Sequence, residues 1–107
     1  MKEIKAFIHR NRVADVVRVL KEAGFENLSV IDVKGMLKAL DTREQNYSVE
    51  VGEKVITEIK LELVCDDERL DEAVRLIREN ARTGQTLAGW VYVSEITAAM
   101  PIGNEGG

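Results

Sequence analysis

The sequence predicts an α+β domain whose strands and helices follow the split βαβ order, and three observations support this fold class. Residues 2–8 and 55–64 alternate between a more apolar and a more polar face, as half-buried strands do. Residues 13–23 and 70–81 carry apolar side chains three and four residues apart, as on the buried face of a helix. Each helical segment follows a strand, so the chain consists of two similar βαβ halves. We therefore expect the ferredoxin-like arrangement, a four-stranded antiparallel sheet with two helices on one face.

The first half of the chain contains signals for the start and end of its elements. One face of the first strand is apolar: Ile4, Ala6 and Ile8. The helix of residues 13–23 has Asn11 as a candidate N-cap, and Gly24 follows its end, where left-handed backbone is common. Residues 28–33 are apolar and rich in β-branched side chains, which predicts a second strand ending near Gly35.

The second half begins with the strand of residues 55–64. Asp66 and Asp67 follow it, and we expect their carboxylates to cap the second helix. The apolar face of that helix consists of Leu70, Ala73, Val74, Ile77 and Ala81. The loop of residues 82–89 ends the helix, and residues 90–94 form a short last strand. We assign the whole chain, residues 1–107, to a single domain.

The segment of residues 36–54 separates two strands that should be hairpin neighbours. Its nineteen residues are polar and weakly periodic, and loops of this length in compact domains usually have a function. The alternative is a protruding β-arm, because Tyr47 to Val51 can alternate as a strand does. After the last strand comes a glycine-rich tail, residues 101–107, which begins at Pro101 and which we expect to fray without a ligand.

The composition of the chain excludes several classes of function. Its 107 residues have a formal net charge of −4 with both signs interspersed, whereas a nucleic-acid-binding protein usually shows a basic stripe. Aromatic residues make up 5% of the chain, which is few for a base-stacking surface. No apolar run approaches the roughly 18 residues of a membrane helix, and no signal-peptide pattern follows Met1. We therefore expect a cytoplasmic protein that neither binds nucleic acid nor inserts into a membrane.

Residues for metal binding or catalysis are scarce. Cys65 is the only cysteine and His9 the only histidine, so a site with several nitrogen and sulfur ligands cannot form within one chain. His9 lies at the end of a strand with no nucleophile motif beside it. Asp66 and Asp67 at a helix start fit capping and the helix dipole better than acid–base work. We expect neither a metal site nor an enzyme.

Three stretches, taken in order, resemble the PII nitrogen-regulatory signalling proteins. Val33-Lys34-Gly35 matches the start of the T-loop of that family, Lys60-Leu61-Glu62-Leu63-Val64 its third strand, and Ala81-Arg82-Thr83-Gly84 with Gly89 its B-loop. Each motif alone has an ordinary explanation, since Thr-Gly after a helix is a common C-cap and a glutamate beside a lysine is a common solvated strand face. Their combination on a matching βαβ–βαβ order is more specific, and the resemblance covers essentially the whole chain.

The resemblance implies a homotrimer that binds adenine nucleotides in the clefts between subunits. The T-loop, residues 36–54, would change shape to bind or release a target protein, and the B-loop, residues 82–90, would hold the nucleotide. The residues that the resemblance places around the nucleotide are Ser29, Gly35, Met36, Leu37, Glu62, Val64, Arg82, Thr83, Gly84, Gly89 and Trp90. Glycine lets backbone N–H groups approach a phosphate, to which Thr83 and Arg82 can add donors. Trp90 either stacks on the base or ribose or belongs to the trimer core.

The chain departs from the PII pattern where cations usually contact phosphate. Gln85 and Trp90 stand at two usual lysine positions, and Pro101 and Gly103 stand at two usual arginine positions. Each missing cation removes about 1–3 kcal/mol of charge-assisted hydrogen bonding. We therefore expect AMP or ADP to be favoured over ATP as the ligand.

Other departures concern the second ligand and covalent modification. Ala39 and Glu58 replace residues by which PII proteins hold 2-oxoglutarate, and Val51 replaces the tyrosine that some members modify. This profile resembles divergent PII-like proteins associated with inorganic-carbon handling, including carboxysomes and bicarbonate transporters. It implies bicarbonate as a second ligand, and leaves open a carboxysome association or a membrane transporter as the target. The cations available for the anion are Lys38, Arg43 and Lys54. The alternatives are a trimeric divalent-cation-tolerance protein and a structural assembly module without a small ligand.

Overall fold

The computed structural model describes residues 1–32 and 59–103. In these two stretches the regular elements are β1 (Lys2–Ile8), α1 (Val13–Glu22), β2 (Leu28–Asp32), β3 (Ile59–Cys65), α2 (Leu70–Asn80) and β4 (Trp90–Glu95). A short 3₁₀ turn precedes each helix, at Arg10–Arg12 and at Asp67–Arg69. The order is that of the expected split βαβ fold. Residues 33–35 and 55–58, which belong to the predicted strand ends, lie outside the described residues, as does the whole segment 36–54.

The four described strands form one antiparallel sheet in the order β2-β3-β1-β4. The register places Ala6 of β1 opposite Leu61 of β3 on one side and opposite Val91 of β4 on the other. Because register partners point to the same side of a sheet, these residues share one face. The predicted hairpin neighbours β2 and β3 pair with each other, and β2 and β4 are the two edges. This arrangement confirms the predicted fold class.

The hydrophobic core lies between the helices and one face of the sheet. Its buried residues from the strands are Ile4, Ala6, Ile8, Ile59, Leu61, Leu63 and Cys65, and those from the helices and their ends are Val16, Leu20, Phe25, Ala73, Ile77 and Ala81. The alternation in β1 and β3 therefore predicts burial correctly, residue by residue. The opposite face of the sheet carries no helix in the described part of the chain, and this helix-free face presents the remaining strand residues.

The predicted helix caps are wrong in both halves. Asn11 lies within the first 3₁₀ turn, and the residue at the N-cap of α1 is Arg12, with no side-chain capping bond. The side chain of Asp66 makes no capping bond either, and Asp67 accepts a hydrogen bond from the amino group of Met1 at 2.6 Å. The reason is the same in each half. A 3₁₀ turn continues directly into the helix, so the acceptors for its first N–H groups are backbone carbonyls, as when Arg69 N–H bonds Asp66 O.

The end of α1 matches its prediction. Gly24 has φ +92°, and its N–H donates to Lys21 O at 2.9 Å, while the N–H of Phe25 donates to Leu20 O at 3.0 Å. This pair of bonds is the Schellman motif, in which a left-handed residue closes the helix. Phe25 is then buried in the core, so the same turn ends the helix and anchors the chain that leads to β2. No described helix is long and apolar enough to cross a membrane.

Candidate functional site

The described site residues fall into two groups, and the first lies on the helix-free face. Ser29 on β2 is the register partner of Glu62 on β3, and Val64 is two residues further along the same face of β3. Ser29 is exposed, whereas Glu62 and Val64 are half-buried. The Glu62 carboxylate lies 4.0 Å from the Lys60 ammonium, a loose ion pair on the same face. The three residues thus form one small patch of hydroxyl, carboxylate and apolar side chain, which we call the strand patch.

The second group is the loop between α2 and β4, residues 82–89. Gly84 has φ +90°, a backbone conformation that residues other than glycine adopt only at a cost in free energy. A Cβ added at this position would meet no atom within 4 Å. The N–H of Gln85 donates to Thr83 Oγ1 at 3.4 Å, a long bond that a better acceptor can replace. Arg82 is exposed at the start of the loop. The loop therefore presents an open backbone turn with a hydroxyl and a guanidinium beside it, which suits an anion.

Gly89, at the other end of this loop, has a structural reason to be glycine. A Cβ built there would fall 2.0 Å from Phe7 O and 3.2 Å from Phe7 C. The backbone of the loop therefore passes directly over the end of β1, where no side chain fits. This close approach explains the residue whether or not a ligand binds nearby, and the role that the resemblance implies for Gly89 stays a prediction.

Trp90 belongs to an aromatic cluster on the helix-free face. It is the register partner of Phe7, and its ring stacks on Tyr92 at a centroid distance of 6.2 Å and an interplanar angle of 16°. Phe7 meets Tyr92 edge-on at 6.0 Å. Trp90 remains 40% exposed and Tyr92 43%, so the cluster is partly covered on its own chain. Sequence reasoning missed this cluster, because the pairing of β1 with β4 brings the three rings together.

A groove of about 1120 Å³ lies between α2, β4 and the loop. Arg75, Arg78 and Arg82 line its helical wall, and Gln85 and Leu87 line its loop wall. The Arg75 guanidinium is paired with Glu79 at 3.2 Å. The first two arginines were not predicted as site residues. Arg75, Arg78 and Arg82 follow one another at spacings of three and four residues along one helical face, and this spacing was the available signal.

The two groups lie far apart within one chain. The strand patch is on β2 and β3, and the loop leads into β4 at the opposite edge of the sheet. Three strand spacings of about 4.8 Å separate β2 from β4, which puts Ser29 roughly 14 Å from the strand that carries Trp90. One chain therefore brings together Ser29, Glu62 and Val64, and separately Arg82 to Trp90, but does not bring the two groups together.

The remaining predicted site residues lie outside the described residues. They are the T-loop residues Gly35, Met36 and Leu37 and the anion-binding candidates Lys38, Arg43 and Lys54. The described stretches contain no group of three or more His, Cys, Asp or Glu residues arranged to hold a metal ion. Within those stretches Cys65 is buried, and burial raises the pKa of its thiol.

Comparison with known proteins identifies the family of the chain. Residues 1–105 match the family model of nitrogen regulatory protein P-II. The chain belongs to the P-II family. This finding confirms the resemblance that the three motifs indicated, and it agrees with the observed βαββαβ topology.

Individual P-II proteins match over nearly their whole length. A nitrogen regulatory protein P-II 1 from Methanothermobacter thermautotrophicus is 33% identical over 102 residues, which cover 95% of this chain and 89% of that protein. A nitrogen regulatory protein P-II from Rhodobacter capsulatus is 34% identical over 102 residues, 95% of this chain and 91% of the relative. One from Rhodospirillum rubrum is 29% identical over an alignment that covers 100% of this chain and 97% of that protein. This P-II family member is thus similar to regulatory proteins along its full described length.

Proposed function

We propose that this P-II family member is a regulatory protein, not an enzyme, that binds an adenine nucleotide between the subunits of a homotrimer. The observation that carries the proposal is the separation of the strand patch from the loop of residues 82–89. A site formed by one chain would need the two groups side by side, whereas the strand patch lies on β2 and β3 and the loop leads into β4, with β1 between them. When the strand patch of one copy faces the loop of a second copy, both groups contact one ligand.

The chemistry of each group suits one part of the nucleotide. Ser29 and Glu62 supply a hydroxyl and a carboxylate, which hydrogen-bond ribose hydroxyls or the adenine amine, and Val64 supplies an apolar surface for the base. The open turn at Gly84 presents backbone N–H groups, and Thr83 and Arg82 add donors for phosphate. The partly exposed ring of Trp90 then lies either against the base or against another subunit.

The number of available cations favours few phosphates. Gln85 is an amide and Trp90 an indole, and the described tail has Pro101 and Gly103, so none of these four positions offers a charge. The groove beside the loop is lined by Arg78 and Arg82, and by Arg75, which is already paired with Glu79. Two guanidinium groups match the charge of AMP or ADP better than that of ATP. We therefore expect the protein to bind AMP or ADP more tightly than ATP.

The T-loop of residues 36–54 is the proposed contact with a target protein. Its three cations at positions 38, 43 and 54 are the proposed partners of a small anion, bicarbonate, bound beside the nucleotide. Such a pair of ligands suits a cytoplasmic regulator of inorganic-carbon metabolism, whose target is a transporter or a carboxysome protein. Nucleotide binding and target binding are then coupled, so each changes the affinity of the other by the same factor.

Calorimetric titration with AMP, ADP and ATP, each with and without bicarbonate, tests this proposal. We expect AMP or ADP to bind more tightly than ATP, and light scattering to give the mass of three chains. Gly84→Glu places a carboxylate beside the proposed phosphate and should abolish binding. Gly84→Ala is the matched control, because it has the same backbone cost at φ +90° without the charge, and it meets no atom within 4 Å.

Three results would overturn parts of the proposal separately. Equal nucleotide affinity of Gly84→Glu and Gly84→Ala would remove the phosphate from the loop. Tighter binding of ATP than of ADP would contradict the preference for few phosphates. A folded protein that binds no nucleotide would leave the structural assembly module as the better description. A separate calorimetric titration with copper and zinc tests the divalent-cation-tolerance class, which binding of either metal would favour.

A further inference from the structure

An arginine at the start of each helix contacts the end of the other helix. Arg12 is the N-cap residue of α1, and its Nε donates to Asn80 O, the last carbonyl of α2, at 2.9 Å. Arg69 is the N-cap residue of α2, and its Nη2 donates to Ala23 O, just past the end of α1, at 2.7 Å. The two contacts are related by the approximate two-fold repetition of the βαβ halves.

Each arginine is held by an acidic residue three positions further along its own helix. Arg12 Nη2 lies 3.1 Å from Asp15 Oδ2, and Arg69 Nη2 lies 2.7 Å from Glu72 Oε1. Arg69 also stacks over the Phe25 ring, with its guanidinium carbon 4.0 Å from the centroid. These contacts therefore hold both guanidinium groups in the position from which they donate to the other helix. A charged donor to a carbonyl is stronger than a neutral one, so both contacts stabilise the helix pair.

The two helix ends differ in how they are closed without the arginine. α1 ends in the Schellman motif at Gly24, in which the N–H groups of Gly24 and Phe25 already satisfy two of its last carbonyls. α2 ends at Asn80, and the next residue, Ala81, has φ −94° and ψ 4°, so no left-handed residue closes it there. Terminal carbonyls need donors from outside the helix. Arg12 supplies one to the last carbonyl, two residues before the Arg82-Thr83-Gly84 turn begins to expose its backbone.

We propose that Arg12 is a positioning residue for the loop of residues 82–89. Its hydrogen bond fixes Asn80, and the next residue, Ala81, is held by burial in the core. Arg82, Thr83 and Gly84 therefore leave the helix in one direction. The proposal rests on the proposed function, because the loop is the part that holds phosphate. Arg69 has the same chemistry at the helix end remote from the loop, and it serves only stability. The two arginines are thus a matched pair with different consequences.

The test compares Arg12→Gln, Arg12→Lys and Arg69→Gln. We measure the melting temperature, the affinity for AMP and ADP by calorimetry, and amide hydrogen exchange across residues 81–89. A charge-assisted bond of this kind corresponds to about tenfold in an equilibrium constant. Arg12→Gln should therefore weaken nucleotide binding and speed exchange in the loop by about tenfold or more. Arg12→Lys keeps a charged donor and should fall between Arg12→Gln and the unchanged protein.

Arg69→Gln should lower the melting temperature while leaving nucleotide affinity and loop exchange within about twofold of the unchanged protein, since stability and site geometry are then separate. Equal effects of Arg12→Gln and Arg69→Gln on loop exchange would overturn the proposal. So would unchanged nucleotide affinity in Arg12→Gln. If the unchanged protein binds no nucleotide, the proposed function fails, but hydrogen exchange still decides whether Arg12 holds the loop. If Arg12→Gln does not fold, the same comparison is made with Arg12→Lys.

Discussion

At the scale of single residues, two glycines of one loop show that glycine can be required for different physical reasons. Gly84 and Gly89 both belong to the loop that we assign to the ligand, and both match the family motif. A Cβ at Gly84 would enter open space, whereas a Cβ at Gly89 would overlap the backbone of β1. Substitutions at the two positions therefore measure different properties, namely ligand contact at the first and packing at the second.

Gly89→Ala tests the packing role. The added Cβ would lie 2.0 Å from Phe7 O, so β1 or the loop must move. Overpacking of this kind costs about 1–3 kcal/mol of the free energy of unfolding, and urea denaturation measures it. Gly84→Ala is the control and should cost about 1 kcal/mol, because only its positive φ is strained. A Gly89→Ala variant as stable as the unchanged protein would show that the loop does not depend on this contact.

At the scale of elements, sequence patterns predicted the strands well and the starts of the helices poorly. Alternation placed β1 on the residues where the structure has it, and Ile59, Leu61 and Leu63 of the predicted strand 55–64 are buried in alternation with half-buried neighbours. The helix starts were placed less well, because Asn11 and Asp66 look like N-caps in sequence but lie in or before 3₁₀ turns. The same residue types occur at an N-cap and one turn before it, so only the backbone path shows whether such a residue caps the helix.

The end of α1 provides a prediction at this scale. Gly24→Ala keeps an ordinary contact, 3.5 Å from the added Cβ to Arg69 Nη1, so its cost comes from φ +92°. We expect a loss of about 1–2 kcal/mol in the free energy of unfolding, the cost of left-handed backbone for a residue with a side chain. Thermal or urea denaturation measures it, with Gly103→Ala in the exposed tail as a control that should change nothing. A Gly24→Ala variant of unchanged stability would contradict the Schellman closure.

At the scale of the whole molecule, a cluster of charges joins three separate parts of the chain. The amino group of Met1 bonds Asp67 in the second 3₁₀ turn and lies 3.6 Å from Glu95 at the end of β4. Lys2 of β1 also pairs with Glu95. The hydrogen bond from the amino group lowers the pKa of Asp67, and the bond from Lys2 lowers the pKa of Glu95. The hydrogen bond to Asp67 in turn raises the pKa of the amino group.

These shifts predict a pH window of stability. Carboxylates whose pKa is lowered by folding stabilise the protein above their ordinary values of 3.8 and 4.5, and this contribution is lost as the pH falls through the folded pKa. The amino group, with its pKa raised from 8.0, stabilises the protein below that value, and its contribution is lost as the pH rises. The cluster therefore contributes most between about pH 5 and 7.

Asp67→Asn tests this window through the melting temperature as a function of pH. The variant should lose stability near pH 6 and converge on the unchanged protein in acid, where Asp67 is protonated in both states of the unchanged chain. Because the groups are exposed, the effect should shrink in high salt. Asp66→Asn is the matched control on the neighbouring carboxylate, and its pH profile should follow that of the unchanged protein. Parallel profiles for Asp67→Asn and Asp66→Asn would contradict the cluster.

The sequence by itself determined the fold class, the element order and the family, because these depend on local periodicity and on motifs such as Ala81-Arg82-Thr83-Gly84 that survive as strings of residues. Only the tertiary structure decided which groups meet. It placed Ser29 beside Glu62 but far from Trp90, stacked Trp90 on Tyr92, and set Arg12 against the end of α2. The physical reason is that these contacts join residues from different elements. Strand register and helix packing create these contacts, and a local sequence pattern by itself determines neither the register nor the packing.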